Sequence, residues 1–429
     1  MGALRHPVAV ETTVTTATLR AAQLERLSAG IGSLLQSNRF YRARLHPVAT
    51  WDDFERLPLT TKAEITADQQ ANPPFGTNLT FPIDRYSRLH QTSGTSGTTP
   101  LRWVDTPESW DWWVRLWADH VFRAAGMLPD DRVFLAFSFG PFIGFWSAFS
   151  GAERLGALVI PGGAMTTEQR LRTMLELGAT VLCCTPTYAI RLAEVAQGMG
   201  IDLSASDIRI TVHAGEPGAS VPATRDLIER SFGARCFDHT GMTELGPTGF
   251  SCAARDGVHL IESEFVVEVR DDTGAVHSLL ETGTITGELV ATNLGRWGSP
   301  LIRYRTGDRV ELTRAACQCG SSFAKMIGGI RGRVDDMFTV RGVNLYPSQV
   351  EDLIRRHPTI GEFCIEVGQR RGMEEVTVLC EIQAGDGDDV MSRLASDLRL
   401  ALGARIECRQ VAAGSLPRSE VKSRRLRRV

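Results

Sequence analysis

The segment from Gln91 to Pro100 is rich in glycine and in hydroxyl side chains, which are residue types that bind phosphate. Glycines leave backbone N–H groups free to surround a phosphate, and threonine and serine hydroxyls donate further hydrogen bonds. It is not a Walker loop, because no Gly-Lys-Ser or Gly-Lys-Thr follows at the required spacing. The candidate phosphate ligands are Thr92, Ser93, Gly94, Thr95, Ser96, Gly97 and Thr98.

Three cysteines and one histidine could hold a metal ion. Cys252 precedes His259 by seven positions, and Cys317 and Cys319 flank a single residue before a glycine. Three thiolates and one imidazole would complete a tetrahedral zinc site without an open position, which is the structural type of zinc site. The nine cysteines are an odd number and do not favour a disulfide scaffold. Reduced, unpaired cysteines are the alternative, and Cys236, His239 and His277 are alternative ligands.

Five motifs occur in an order that resembles the adenylate-forming superfamily of acyl-CoA synthetases, adenylation domains and luciferases. They are the loop above, Gly241-Met-Thr-Glu244, Tyr304-Arg-Thr-Gly-Asp308, Gly332-Arg-Val-Asp-Asp336 and Leu416-Pro-Arg-Ser-Glu-Val-Lys422. Further segments look like the phenylacetate–coenzyme A ligase branch. Among them are Leu57-Pro-Leu-Thr-Thr-Lys62, Gly151-Ala-Glu-Arg-Leu-Gly156 and Arg341-Gly-Val-Asn-Leu-Tyr-Pro347. The resemblance covers nearly the whole chain.

This resemblance implies ATP-dependent activation of an aryl carboxylic acid as an acyl-adenylate, followed by thioester formation with coenzyme A. The implied cofactors are ATP, Mg²⁺, coenzyme A and a structural Zn²⁺. One alternative is an aryl-acid–AMP ligase that loads the phosphopantetheine of an acyl carrier protein. The other is a non-catalytic adenylate-binding module. The motifs do not name the acid.

The resemblance also implies roles for individual residues. Glu244 would bind Mg²⁺, Thr243 a phosphate oxygen, and Asp308 the ribose hydroxyls, which need an acceptor. Arg333 would contact ATP phosphate or ribose. Lys422, one of only three lysines in the chain, would contact the α-phosphate and the substrate carboxylate. The adenine contacts would be Gly215, Glu216, Pro217, Asp238, His239 and Thr240, and the acyl pocket would contain Phe139, Gly140, Pro141, Phe142, Ala214, Gly241 and Met242.

The C-terminal domain is expected to rotate between the two half-reactions. The family's hinge residue corresponds to Asp335, and the thiol tunnel would be formed by Arg341, Gly342, Val343 and Asn344. The other two lysines, Lys62 and Lys325, are interpreted as structural or solvated.

The sequence departs from the family pattern in three motifs. Val421 stands where the family has glycine before the catalytic lysine, and Thr98 and Thr99 stand where a lysine commonly precedes the proline of the phosphate loop. Thr240 replaces the aromatic residue that stacks on adenine, and the neighbouring His239 is the alternative stacking ring.

Alternating strand and helix patterns from Arg132 to Phe232 predict crossover units and a mostly parallel sheet. Shorter β-rich segments follow Phe237, and a second unit begins near Gly332. The predicted fold is α/β, with a large N-terminal domain (1–332) of mostly parallel sheets plus a β-rich subdomain, and a small mobile α+β C-terminal domain (333–429). The helical spacing of Trp110, Trp113 and Trp117 indicates packing in the core.

The composition of this 429-residue chain argues against some classes of binding partner. A formal net charge of −3 gives no electrostatic footprint for nucleic acid or an anionic membrane. No run approaches the ~20 apolar residues of a membrane span, and the N-terminus lacks the pattern of a secretory signal. A cytoplasmic monomer or homodimer that acts on a small aryl acid, with no membrane or nucleic-acid partner, is therefore expected.

Overall fold

A computed structural model describes residues 15–92, 100–278, 283–340, 343–370, 373–383, 387–418 and 425–429. Several predicted site residues lie outside these ranges: Ser93, Gly94, Thr95, Ser96, Gly97, Thr98, Arg341, Gly342 and Lys422. Within the described ranges, none of the helices has the length and apolar character that a membrane span requires.

The chain begins with helices that pack on the large domain. In helix α1 (Thr16–Ser37), Leu27, Ile31 and Leu34 lie on one face and are fully buried. The helix starts at Thr15, whose hydroxyl accepts a hydrogen bond from the Thr18 N–H. Helices α2 (Arg39–Arg42), α3 (Trp51–Glu55) and α4 (Lys62–Ala71) follow, and then a hairpin of β1 (Arg88–Gln91) and β2 (Arg102–Asp105).

Crossover units then build a parallel sheet, as the sequence predicts. Helix α5 (Pro107–Leu116) continues into a π-helical turn (Trp117–Phe122). The units are β3 (Arg132–Leu135), α6 (Ile143–Leu155), β4 (Leu158–Pro161), α7 (Thr167–Glu176), β5 (Val181–Cys184), α8 (Pro186–Gly198), β6 (Ile210–His213), α9 (Pro222–Phe232) and β7 (Arg235–Met242). The strand order is β4-β3-β5-β6-β7, all parallel. Parallel strands are buried on both faces, which explains their near-continuous apolar sequence.

The sheet continues past β7 with mostly antiparallel strands. These strands are β8 (Gly246–Phe250), β9 (Val258–Leu260), β10 (Phe265–Arg270), β11 (Val276–Ser278), β12 (Thr284–Asn293), β13 (Tyr304–Thr313), β14 (Lys325–Met326) and β15 (Gly332–Arg333). Their order from the junction is β7-β8-β9-β14-β13-β12-β10-β11, and β15 pairs with β13. Strand β7 therefore belongs to both halves and ends where they meet.

The C-terminal elements enclose an apolar cluster of their own, which includes Phe338, Val350 and Leu394. A four-stranded sheet of order β20-β19-β18-β21 forms its base. The elements are β16 (Phe338–Val340), β17 (Val343–Leu345), α10 (Pro347–Arg355), β18 (Ile360–Arg370), β19 (Met373–Ile382), α11 (Gly387–Leu402), β20 (Glu407–Val411) and β21 (Leu426–Arg428). The predicted α/β fold with a separate small C-terminal domain is confirmed.

Candidate functional site

Glu244 is a buried carboxylate just beyond the end of β7, with 7% of its surface exposed. The Nζ atom of Lys62 lies 3.5 Å from its Oε1 atom. Lys62 is the first residue of α4, and the hydroxyl of Thr61 caps that helix by accepting from the Glu64 N–H. The interpretation of Lys62 as structural or solvated fits its 54% exposed side chain but does not include this ion pair. Only the scarcity of lysine in the sequence pointed to it.

A fully buried ion pair supports the backbone that carries Glu244. The guanidinium of Arg296 donates to both carboxylate oxygens of Asp105, at 2.6 and 2.7 Å. Its third nitrogen donates to the carbonyl oxygens of Thr243 (2.6 Å) and Glu244 (2.9 Å). Burial alone would raise the pKa of Asp105, but the charge of Arg296 holds it below the ordinary value. No motif in the sequence pointed to either residue of the pair.

Asp308 and Arg333 meet because β13 and β15 pair in register at these two residues. Arg333 donates to the Asp308 carboxylate at 3.0 Å and to the Thr306 carbonyl at 2.9 Å. Burial raises the pKa of Asp308 to about 6, with Arg333 acting in the opposite direction. The charge of Glu244 also raises this pKa, so two motifs that are 64 positions apart lie within electrostatic reach of each other.

The predicted adenine turn follows β6, at the carboxyl edge where open α/β sheets bind ligands. Gly215 has φ of +96°, a conformation that favours glycine. The Glu216 carboxylate accepts a hydrogen bond from the Thr187 N–H at 2.9 Å, which fixes the turn to the start of α8. Pro217 is exposed between this turn and α9.

Arg425, three positions after the predicted catalytic lysine, connects the C-terminal domain to that turn. Its guanidinium donates to Glu351 at 3.0 Å and to Glu362 at 2.6 Å, both in the C-terminal domain. It also donates to the Thr187 hydroxyl at 3.3 Å, on the helix that holds Glu216. These carboxylates raise the pKa of Arg425 despite its burial, so it remains a cation.

Asp238 and His239 are adjacent on β7 and therefore point to opposite faces of the sheet. Asp238 accepts a hydrogen bond from the Ser220 hydroxyl, and burial raises its pKa to about 7. The His239 ring instead packs on Trp117, with 4.2 Å between the ring centroids. The two predicted adenine contacts therefore lie on opposite faces of β7. Thr240 is buried, and its hydroxyl lies 3.2 Å from that of Thr248.

The predicted acyl segment follows β3 and contains an aromatic cluster. The ring centroid of Phe139 lies 5.0 Å from that of Trp146 and 6.1 Å from that of Phe149, both on α6. The Trp146 indole N–H donates to the Gly140 carbonyl at 2.9 Å. Among the other predicted acyl residues, Phe142, Ala214 and Met242 are half-buried, whereas Gly241 is exposed.

One hydrogen bond connects the acyl segment to the base of the predicted phosphate loop, and two more close that base. The Pro141 carbonyl accepts from the Gln91 N–H at 2.7 Å. Thr92 bonds Leu101 twice, since its N–H donates to the Leu101 carbonyl and its hydroxyl accepts from the Leu101 N–H, each at 3.0 Å. Thr92 therefore closes the base of the loop.

The four predicted zinc ligands converge, with all ligand atoms within 4.8 Å of one another. The Sγ atoms of Cys252 and Cys317 are 3.6 Å apart, and Cys319 Sγ lies 3.4 Å from His259 Nε2. A tetrahedral zinc ion with Zn–S bonds of ~2.3 Å requires sulfur atoms about 3.8 Å apart. His259 Nδ1 lies 3.0 Å from the Phe323 carbonyl, an arrangement that directs Nε2 towards the other ligands. The donor set and its spacing therefore fit zinc.

The predicted hinge lies in a short 3₁₀ turn, Val334–Asp336, between β15 and β16. The side chain of Asp335 is 75% exposed and lies 3.3 Å from Arg333. In the predicted thiol tunnel, Val343 is half-buried and Asn344 is exposed, with its Oδ1 accepting from the Thr339 hydroxyl at 2.9 Å.

Comparison with known proteins identifies relatives along the chain. Residues 342–427 match a family model described as the AMP-binding enzyme C-terminal domain. The phenylacetate-coenzyme A ligase of Aromatoleum evansii is 33% identical over 376 residues, which cover 85% of this chain and 82% of that protein.

A solved 2-hydroxyisobutyryl-CoA ligase resembles this chain to different degrees in two of its states. In its postadenylation state with 2-HIB-AMP the TM-score is 0.91, at 28% identity over 98% of this chain and 91% of that chain. In its thioesterification state with 2-HIB-AMP and CoA the TM-score is 0.72, at 29% identity over 97% and 91%. The arrangement of this chain is the more similar to the postadenylation state.

Proposed function

Because this chain belongs to the phenylacetate–coenzyme A ligase branch of the adenylate-forming superfamily, we propose that it activates an aryl carboxylic acid with ATP and transfers the acyl group to coenzyme A. Its relatives are ligases that join acids to coenzyme A, and one of them is solved with an acyl-AMP. The observation that carries the proposal is that the Lys62–Glu244 and Arg333–Asp308 pairs lie near each other, close enough for Glu244 to raise the pKa of Asp308.

In the first step, a carboxylate oxygen attacks the α-phosphorus of ATP and the bond to the β-phosphate breaks, releasing pyrophosphate. Both reactants are anions, so the reaction needs cations and oriented donors around the phosphates. Lys62, beside Glu244, and Arg333, beside Asp308, supply positive charge. The hydroxyls of Thr243 and Thr92 fit the role of donors.

Glu244 is the residue that would hold Mg²⁺. Mg²⁺ in such sites is bound by one or two carboxylates together with substrate phosphates and water. The bond from Arg296 to the Glu244 carbonyl holds the backbone at this position and leaves the carboxylate oxygens free of Arg296. When bound, the ion neutralises charge on the phosphates. The Lys62 ammonium group would then contact both Glu244 and the nucleotide.

Asp308 is proposed to bind the ribose hydroxyls, and Gly215–Pro217 with Asp238 to bind adenine. An ionised carboxylate accepts two hydrogen bonds and therefore suits a diol. Arg333 already donates to one Asp308 oxygen, which holds the carboxylate in one orientation. The aromatic cluster around Phe139 supports an aryl acid, since ring pairs contribute about 0.5–1.5 kcal/mol beyond burial.

In the second step, the thiol attacks the acyl carbon and AMP leaves, so the thiol must reach an atom that the nucleotide site enclosed. We propose that the C-terminal domain (333–429) rotates at Asp335 and brings Arg341, Gly342, Val343 and Asn344 to the acyl-adenylate. The difference in TM-score between two states of the solved relative supports such a rotation. Arg425 bonds across the domains in the arrangement that would precede the rotation.

The zinc cluster is proposed to be structural. Its ligands come from the β8–β9 region and from the segment between β13 and β14, so zinc would join strands that are adjacent in the sheet. A four-ligand site leaves no position for substrate.

The experiment is acid-dependent pyrophosphate release with ATP and Mg²⁺, over a panel of phenylacetic, benzoic, hydroxybenzoic and aminobenzoic acids. We expect release with some of these acids, and AMP-coupled thioester formation when coenzyme A is added. The Lys422→Ala variant should lose adenylation but still form thioester from a supplied acyl-adenylate. Transfer only to a phosphopantetheinylated carrier protein would replace coenzyme A as the acceptor, and no release with any acid would refute the proposal.

A further inference from the structure

Lys325 is a buried lysine that lies directly across the sheet from His259, one of the four proposed zinc ligands. Strand β14 pairs with β9, and the antiparallel register places Lys325 opposite His259. Residues in such a pair project from the same face of the sheet, with Cβ atoms about 4.5–5.5 Å apart. The Lys325 side chain is only 8% exposed, although lysine is almost never buried without a partner. Its ammonium group is therefore buried on the face of the sheet that carries His259.

The ammonium group bonds to the loop that joins two of the ligands. Its Nζ atom donates to Asp256, which lies between Cys252 and His259 in the sequence. The stem of Lys325 packs against Gly257, where an added Cβ atom would lie 2.9 Å from Cγ and 3.2 Å from Cδ. The side chain is therefore held beside the cluster both along its stem and at its charged end.

The charge of Lys325 is within electrostatic reach of three of the four ligands. Burial lowers the pKa of Lys325, but Asp256 and, with smaller effects, Cys317 and Cys252 raise it above its ordinary value. Burial lowers the pKa of His259, and the charge of Lys325 acts in the same direction. Lys325 therefore remains a cation, and its charge acts on ligands from both segments of the cluster.

A cation is needed at this position because of the charge of the loaded cluster. Thiols lose their protons when they bind zinc, so three thiolates around a divalent ion leave one net negative charge. Such a charge in a partly buried site is costly unless it is paired. Arg314, which donates to the Ser322 carbonyl, is paired with Glu262, a carboxylate that is only 2% exposed. Asp256 is instead 54% exposed, so water weakens its charge and leaves that of Lys325 to act on the cluster.

We propose that Lys325 is the counter-charge of the zinc cluster and increases its affinity for zinc. The inference rests on the part of the proposed function that assigns a structural zinc site, and it concerns neither the acid nor the thiol acceptor. Replacing residues that support metal ligands from outside the ligand set typically weakens metal binding by about tenfold to a hundredfold. We expect a loss of this size when the charge of Lys325 is removed.

The test measures the zinc dissociation constant of the full chain by competition with a chromogenic chelator of known affinity. Lys325→Met keeps an apolar stem but removes the charge, and it should raise the dissociation constant by about tenfold to a hundredfold. Lys325→Arg keeps the charge and should retain most of the affinity. Lys62→Met is the matched control and should leave the constant unchanged, because Lys62 also pairs with a carboxylate, but that carboxylate is Glu244.

Asp256→Asn separates the charge of Lys325 from its bond to the loop. If the charge acts, this variant should bind zinc at least as tightly as the wild-type protein, because the cation remains and a neighbouring anion is removed. If Lys325 only anchors the loop, Asp256→Asn should lose as much affinity as Lys325→Met. Loaded with Co²⁺ instead of zinc, wild-type protein and Lys325→Met should show thiolate-to-metal absorption of the same intensity, because all four ligands remain.

Equal zinc dissociation constants for the wild-type protein and Lys325→Met would refute the role of Lys325 and leave the zinc site standing. Equal losses in Asp256→Asn and Lys325→Met, or a loss of the Co²⁺ absorption in Lys325→Met, would assign Lys325 to anchoring the loop and also refute the inference. If Lys325→Met does not fold, the double variant Asp256→Asn, Lys325→Met replaces it and should bind zinc more weakly than Asp256→Asn alone.

A wild-type protein that binds no zinc would refute the proposed zinc site, and this inference with it. Acid-dependent pyrophosphate release by the same preparation tests the rest of the proposed function separately.

Discussion

The buried pair of Arg296 and Asp105 allows a prediction about how the catalytic strand end is held. Both side chains are completely buried, and Arg296 makes two bonds to Asp105 and two to the backbone of Thr243 and Glu244. In Arg296→Gln, the Asp105 carboxylate would remain buried without its cation. Breaking a buried pair in this way destabilises a protein by about 3–5 kcal/mol.

The loss of unfolding free energy in Arg296→Gln should depend on pH. The direction of this dependence follows from the pKa of Asp105. In the wild-type protein its pKa is lowered, so its contribution to stability is present above the unfolded pKa and is lost as pH falls. Without Arg296, burial of Asp105 is opposed only by His90, and we expect the pKa to rise above the unfolded value. Protonation then stabilises the folded variant, so Arg296→Gln should be less destabilised at pH 5 than at pH 8.

Urea unfolding followed by tryptophan fluorescence measures this effect in the large domain, because all eight tryptophans precede residue 300. The double variant Asp105→Asn, Arg296→Gln should be more stable than the sum of the single effects by about 2–3 kcal/mol, since neither charge remains unpaired. Arg154→Gln is the matched control. It breaks an exposed pair with Asp111 at 2.6 Å, which is worth about 0–1 kcal/mol.

Pyrophosphate release by Arg296→Gln, assayed where the variant is fully folded, should also fall, because the Thr243 and Glu244 carbonyls lose their donor. Two results would contradict this account of the pair. One is that the changes in unfolding free energy of the two single variants add up in the double variant. The other is that Arg296→Gln loses the same unfolding free energy at pH 5 and at pH 8. Full activity in a folded Arg296→Gln protein would show that Glu244 needs no such support.

Four further results are expected. Affinity for AMP, measured by calorimetry, should fall as pH drops through about 6, where Asp308 takes up a proton, and Asp308→Asn should bind weakly at every pH; a flat profile in the wild-type protein would remove the ribose role. Purified protein should contain about one zinc ion per chain, and a chelator should lower the melting temperature; metal-free protein with an unchanged melting temperature would rule out the site. Asp335→Pro, which fixes φ near −65°, should keep pyrophosphate release and lose most thioester formation, whereas transfer at the wild-type rate would discard the rotation. Arg425→Gln should reduce adenylation more than transfer from a supplied acyl-adenylate, because it removes the bond to Thr187; equal losses in both steps would contradict that assignment.

The order of elements and the family could be obtained from the sequence alone. Strand and helix periodicity predicted the crossover units between Arg132 and Phe232, and the structure confirms them. The cysteine and histidine spacing predicted the zinc ligands, whose donor atoms do converge. These features depend on local pattern and residue type, which a single sequence records.

Other features of the site were decided by tertiary structure. Arg296 meets Asp105 across 191 positions, and nothing in the sequence distinguishes it from the other arginines. Lys62 reaches Glu244 because α4 starts beside the end of β7, a packing relation that no local motif specifies. The sequence also did not determine which face of the sheet His239 lies on. A shift of one residue in register moves every side chain of a strand to the opposite face. Contacts between distant segments follow from how elements pack, so only the folded chain assigns them.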